Sequence, residues 1–119
     1  MQYLMLIYQG TTPLPGSDAW AALSEEEQKA VYADYGALNA TAGVTPGLPL
    51  GLPENATTVR VDDGKTLTTD GPFVGIKEAV GGYFVLEAED LDAAIELASR
   101  VPAARLGGAI EIRPSETYW

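Results

Sequence analysis

Two short segments, Gln2–Tyr8 and Tyr83–Ala88, carry apolar side chains on both of their alternating sets. In the first, Tyr3, Met5 and Ile7 alternate with Leu4, Leu6 and Tyr8. A strand of this kind is covered on both faces. Most of the other periodic segments are amphipathic, with one face to bury and one to wet. Any fold for this chain must therefore place these two strands in the middle of a sheet and cover that sheet on both sides.

The remaining elements supply cover for one side. Ser24-Glu25-Glu26-Glu27 reads as a capping box, and its acids suit the positive end of a helix. The helix is expected from Glu25 to about Ala42, with Val31, Tyr35 and Leu38 on its inner face and Gly43 ending it. Gln9–Ala22 reads as a loop, broken by Pro13, Pro15 and Gly16 and anchored by Trp20. Asp90 caps a second helix over Leu91–Arg100, with Leu91, Ala94, Ile95 and Ala98 at helical spacing and Pro102 as its stop. Thr57–Asp62 alternates, with Val59 and Val61 inward and Arg60 outward. Asp63-Gly64 is a hairpin signal, and Lys65–Thr69 returns antiparallel. Ala109–Arg113 alternates with Ile110 and Ile112 inward. Val44–Asn55, with Pro46, Pro49 and Pro53, reads as an extended loop or edge segment.

The order is β, α, β with a hairpin, β, α, β. This is the ferredoxin-like pattern of an α+β fold with an antiparallel sheet. Its first and third strands are central, matching the two doubly apolar segments, and Thr57–Asp62 and Ala109–Arg113 take the edges. Two helices cover one face. The other face keeps several apolar side chains, and their exposure costs about 25 cal/mol per Å². A second copy packed sheet face to sheet face is the expected cover, giving a homodimer with a barrel-like interior.

Composition excludes several kinds of chemistry. The 119 residues fit one domain, residues 1–119. Cysteine and histidine are both absent, which removes thiolate nucleophiles, disulfides, imidazole-bound metals and any Ser-His-Asp triad. The net charge is −10, with 17 acids against 7 bases and no basic stripe. A nucleic-acid partner is disfavoured, because phosphate binding depends on Lys and Arg. No apolar run approaches a membrane span. Met1–Tyr8 lacks the marks of a signal peptide, so the expected location is cytoplasmic. Glu25–Glu27 and Glu87-Ala-Glu89-Asp90 offer oxygens, but neighbouring helical residues diverge. Neither a metal nor a cofactor is expected.

The candidate site residues lie around Asp70-Gly71-Pro72-Phe73. Asp70 ends a strand beside a rigid turn, where its carboxylate either faces a cleft or accepts backbone amides in an Asx turn. Phe73 is either core or a ligand platform. Lys77 can bind an anion or hold Asp70 charged, or form a surface pair with Glu78. Gly81-Gly82 is no phosphate loop, since no Lys-Ser/Thr follows; it suits close strand approach. Tyr3, Tyr8, Tyr35 and Tyr83 place phenols near the sheet, and Arg60, Arg105 and Arg113 are the available carboxylate receptors. The ligand-binding candidates are Tyr8, Phe73, Lys77, Glu78, Tyr83 and Arg113, with Asp70 as the candidate catalytic group.

Asp70-Gly-Pro-Phe, Lys77-Glu78, Gly81-Gly82-Tyr83, Asp90-Leu-Asp-Ala-Ala, Pro102-Ala-Ala-Arg105 and Ile110-Glu-Ile-Arg-Pro114 together resemble the DGPF-type branch of the YCII-related family, over almost the whole chain. The resemblance implies a dimeric α+β barrel. It also implies a regulatory or small-molecule role, since genes of such members often lie near extracytoplasmic-function sigma factors. The His/Asp pair of the founding branch has no counterpart in a chain without histidine. Three readings follow: a dimeric small-molecule binder with its cleft near Asp70; an isomerase- or lyase-like enzyme with Asp70 as general base; and an interaction partner of a sigma factor.

Overall fold

The computed structural model describes residues 1–73 and 79–118. The elements are β1 (Gln2–Tyr8), α1 (Asp18–Ala21), α2 (Glu25–Asn39), β2 (Val44–Pro46), β3 (Thr57–Asp62), β4 (Lys65–Asp70), β5 (Val80–Glu87), α3 (Leu91–Ala98) and β6 (Ala109–Pro114). Four strands form an antiparallel sheet in the order β2-β5-β1-β6, while β3 and β4 form a separate two-stranded sheet. The two doubly apolar strands are central, as expected, and the crossover order is ferredoxin-like.

The occupant of one edge differs from expectation. Val44–Pro46 pairs with β5, and Thr57–Asp62 does not. The reason is occupancy. Glu87 donates its amide to the Gly43 carbonyl at 2.8 Å. Val44–Pro46 then pairs with Leu86–Phe84. Past Pro46, the Gly47 amide donates to Tyr83 at 3.0 Å and the Leu50 amide to Gly81 at 3.1 Å. The segment after α2 thus fills the β5 edge, and β5 keeps no ladder for the hairpin.

The hairpin is therefore exposed. Val59 and Val61, expected inward, are 60% and 69% exposed, and only Thr58 among its strand residues is half-buried. Its turn is tight: Asp63 and Gly64 both have positive φ, 50° and 72°, as a two-residue turn matched to strand twist requires. At its base the Gly71 amide donates to Ala56 at 2.7 Å, and the Thr58 hydroxyl donates to the Gly71 carbonyl at 2.7 Å.

The core lies on one sheet face. Tyr3, Met5, Ile7, Phe84 and Leu86 meet Leu38 from α2 and Ala94 and Ala98 from α3, with Val101 and Ala103 closing the end. The capping box of α2 forms as expected: Ser24 Oγ accepts from the Glu27 amide at 3.1 Å, and the Ser24 amide donates to Glu27 Oε1 at 3.2 Å. The helix stops at Asn39, earlier than expected, because the Gly43 turn (φ 86°) must bring the chain onto β5. Asp90 caps α3, accepting from the Ala93 amide at 2.9 Å. Leu91 and Ile95, expected inward, are about half exposed, and Leu97 packs against the core instead. Small Ala94 and Ala98 set a close helix–sheet contact, which turns the larger pair outward. The Gln9–Ala22 loop contains one helical turn, α1. Trp20 is buried there and meets Tyr32 edge-on at 5.5 Å.

Leu4, Leu6, Tyr8, Tyr83 and Val85 form the other face of β1 and β5. Register pairs Leu4 with Val85 and Leu6 with Tyr83. All five are half-buried. The least dimension of the chain is 18 Å, room for one sheet and one helix layer. The radius of gyration, 16.2 Å, exceeds the ~13–14 Å of a compact chain this long. No helix among the described residues is long and apolar enough to cross a membrane.

Candidate functional site

A pocket of about 430 Å³ opens where α2, the end of the central sheet and the Pro-rich segment meet. Its floor is Ile7, Gly82 and Phe84; α2 contributes Tyr35 and Asn39; Leu14 and Pro15 close one side, and Pro46–Leu50 forms a strap over the other. The lining is mainly apolar, with Gln9, Asn39, Tyr35 and Tyr83 as its polar-bearing residues. Its described lining holds no carboxylate, ammonium or guanidinium group.

Local sequence explains the shape. The two backbone bonds from Gly47 and Leu50 to β5 pin the strap at both ends, and Pro49 between them has no amide to give. Gly47 lies flat on the Tyr83 ring, where a Cβ would collide with both ring and carbonyl. Gly81 leaves room for the Gln9 side chain, and at Gly82 a Cβ would meet only Ile7 Cδ1, at 3.6 Å. The glycine pair thus lies within β5 and leaves the pocket its depth.

Tyr35 stacks on Phe84, with centroids 6.4 Å apart and planes at 17°. Burial pushes its pKa above 10.0, against a smaller opposing pull from Arg105. The phenol therefore stays protonated at neutral pH and can donate a hydrogen bond. Arg105 is itself held by Asp34, 2.6 Å away, which ties the turn after α3 to the middle of α2.

The sequence-predicted residues fall in three places. Tyr83 lines the pocket. Tyr8, Tyr83 and Arg113 lie on the open sheet face, where Arg113 pairs in register with Leu4 and sits 4.0 Å from Glu111. Asp70 and Phe73 lie at the base of the hairpin, away from the pocket lining. Asp70 is exposed, and the described residues give its carboxylate no hydrogen bond. Phe73 is 76% exposed, with the Arg60 guanidinium 5.8 Å from its ring centroid, so it is not core. Lys77 and Glu78 lie outside the described residues. Sequence reasoning did not single out Gln9, Asn39 or the strap as site residues. The signal was the triple proline, which forbids a regular ladder at that edge. Among the described residues no group of three or more acids could hold a metal ion.

The family model for the YCII-related domain matches residues 1–116. An uncharacterised protein of Rhizobium meliloti (strain 1021), R00369, is 30% identical over 123 residues, covering 99% of this chain and 94% of that one. Among solved structures, 5-chloro-2-hydroxyhydroquinone dehydrochlorinase (TftG) from Burkholderia phenoliruptrix AC1100, in complex with 2,5-dihydroxybenzoquinone, aligns with a TM-score of 0.47 at 18% identity, over 98% of this chain and 94% of that one. With the family model spanning nearly every residue, the chain belongs to the YCII-related family.

Proposed function

We propose that this protein is a homodimer that binds a small uncharged ring compound in the pocket beneath the Pro46–Leu50 strap. The observation that carries the reading is the lining itself: an apolar, partly aromatic wall with amide and phenol groups and, among the described residues, no fixed charge. Such a lining matches a flat apolar ligand with one or two hydrogen-bonding groups. The net charge of −10 also works against anions. The described lining carries no carboxylate, which favours binding over proton abstraction. The homodimer reading rests on the uncovered face of β1 and β5, which a second copy would bury.

The test is a thermal-shift and ligand-observed NMR screen with phenol, p-cresol, catechol and indole, with benzoate as the charged comparator. Gly82→Val, which builds into the pocket floor, should abolish the response while keeping the far-UV circular dichroism. If no neutral compound stabilises the wild type, or if the variant responds equally, the pocket is not the binding site.

A further inference from the structure

We infer that the β3–β4 hairpin is an arm that grips a second copy of this chain; the inference rests on the homodimer proposed above. The first argument is the hairpin's own stability. An isolated two-stranded hairpin is marginal in water, yet this one has six residues in each strand and none of them buried. Its register sets Val59 opposite Thr68, Val61 opposite Thr66 and Thr57 opposite Asp70. One face is thus β-branched throughout, apart from Asp70 at its base. Among the described residues, neither outer edge pairs with another strand, the usual template for intermolecular contact.

The second argument is area, and it identifies the occupant. The open sheet face is four strands wide, with strands of three to eight residues. At about 4.8 Å between strands and about 3.3 Å per residue, that is roughly 400 Å² in plan on each copy, or about 800 Å² for a face-to-face pair. Stable specific interfaces bury about 1,200–2,000 Å². One hairpin face adds about 200 Å², and two reciprocal arms, each covering equal area on the partner, bring the total to about 1,600 Å². The same two-fold contact therefore covers both bare β surfaces of the chain. The arm also carries Asp70 on its gripping face, which brings that carboxylate to the subunit boundary.

The test compares Val59→Glu/Val61→Glu with Ile95→Glu by sedimentation equilibrium. All three positions are at least half exposed, so the fold survives each change, as circular dichroism will verify. The arm variant should raise the dimer Kd at least 30-fold, and the helix variant should leave it within threefold. Hydrogen exchange gives a second readout: the amides of Val59–Val61 should lose protection at least tenfold on dilution below Kd. A wild-type dimer whose Kd and hairpin exchange ignore these perturbations overturns the arm and leaves the dimer standing. A wild type that is monomeric at 100 µM overturns both.

Discussion

Leu6 is the position at which the uncovered sheet face can be tested most sharply. It sits mid-strand on β1, flanked by Leu4 and Tyr8, with Tyr83 opposite on one side and Glu111 on the other. In the single chain it is already partly buried, so a partner has at most about a third of a leucine side chain left to hide, up to about 1 kcal/mol per copy. Leu6→Glu removes that gain twice in a symmetric dimer. It also sets a carboxylate against Glu111, where like charges directly opposite are unfavourable. Burying each new charge in an apolar interface adds several kcal/mol after relaxation. A total of at least ~4 kcal/mol corresponds to about three decades in Kd. Sedimentation equilibrium from 1 to 200 µM, with circular dichroism confirming the fold, measures it. Leu6→Met, which conserves volume, is the control and should sit within threefold of wild type. A Leu6→Glu protein that dimerises as tightly as Leu6→Met would refute the claim that this face is the interface.

The remaining predictions concern the single chain. Leu38→Ala opens a cavity at a residue only 1% exposed and should cost about 2–5 kcal/mol in chemical denaturation. Ser24→Ala breaks a formed capping box and should cost about 1 kcal/mol, or about 4 °C in Tm. For Tyr35, burial raises the folded-state pKa above 10.0. Its contribution is fully present below pH 10 and is lost as the pH rises through the folded pKa, because only the unfolded phenol ionises freely there. Tyr35→Phe should flatten the fall in stability above pH 10 and leave the slope below pH 9 unchanged; denaturant midpoints across that range decide it.

Much of this architecture could be read from local pattern. The doubly apolar strands became the sheet centre because two-sided burial is written directly into their alternation. Ser24, Glu27 and Asp90 marked helix starts through bonds made within three residues. The hairpin was legible as a hairpin, through Asp63-Gly64, but not as a free one. Val59 and Val61 alternate as half-buried residues do, and alternation says that a face is apolar without saying what covers it. Leu91 and Ile95 misled for a related reason. Helical spacing selects a stripe, but the close approach allowed by Ala94 and Ala98 decides which side of that stripe faces the sheet.

The pocket was the least legible feature, because its wall comes from a segment that forms almost no regular structure. Pro46, Pro49 and Pro53 weaken any continuous ladder, so local reasoning assigns them to a loop or an edge. Both descriptions hold at once. Three residues pair as an edge strand, and then two isolated amides, from Gly47 and Leu50, hold the chain beside β5 without a continuous ladder. That loosely held segment is the strap. A regular strand there would have placed its side chains alternately above and below the sheet and sealed the gap over Gly82. The prolines that look like an interruption of the fold are therefore what keeps the pocket open, and the hairpin, denied its place on β5, is the element to which the proposed dimer gives a partner.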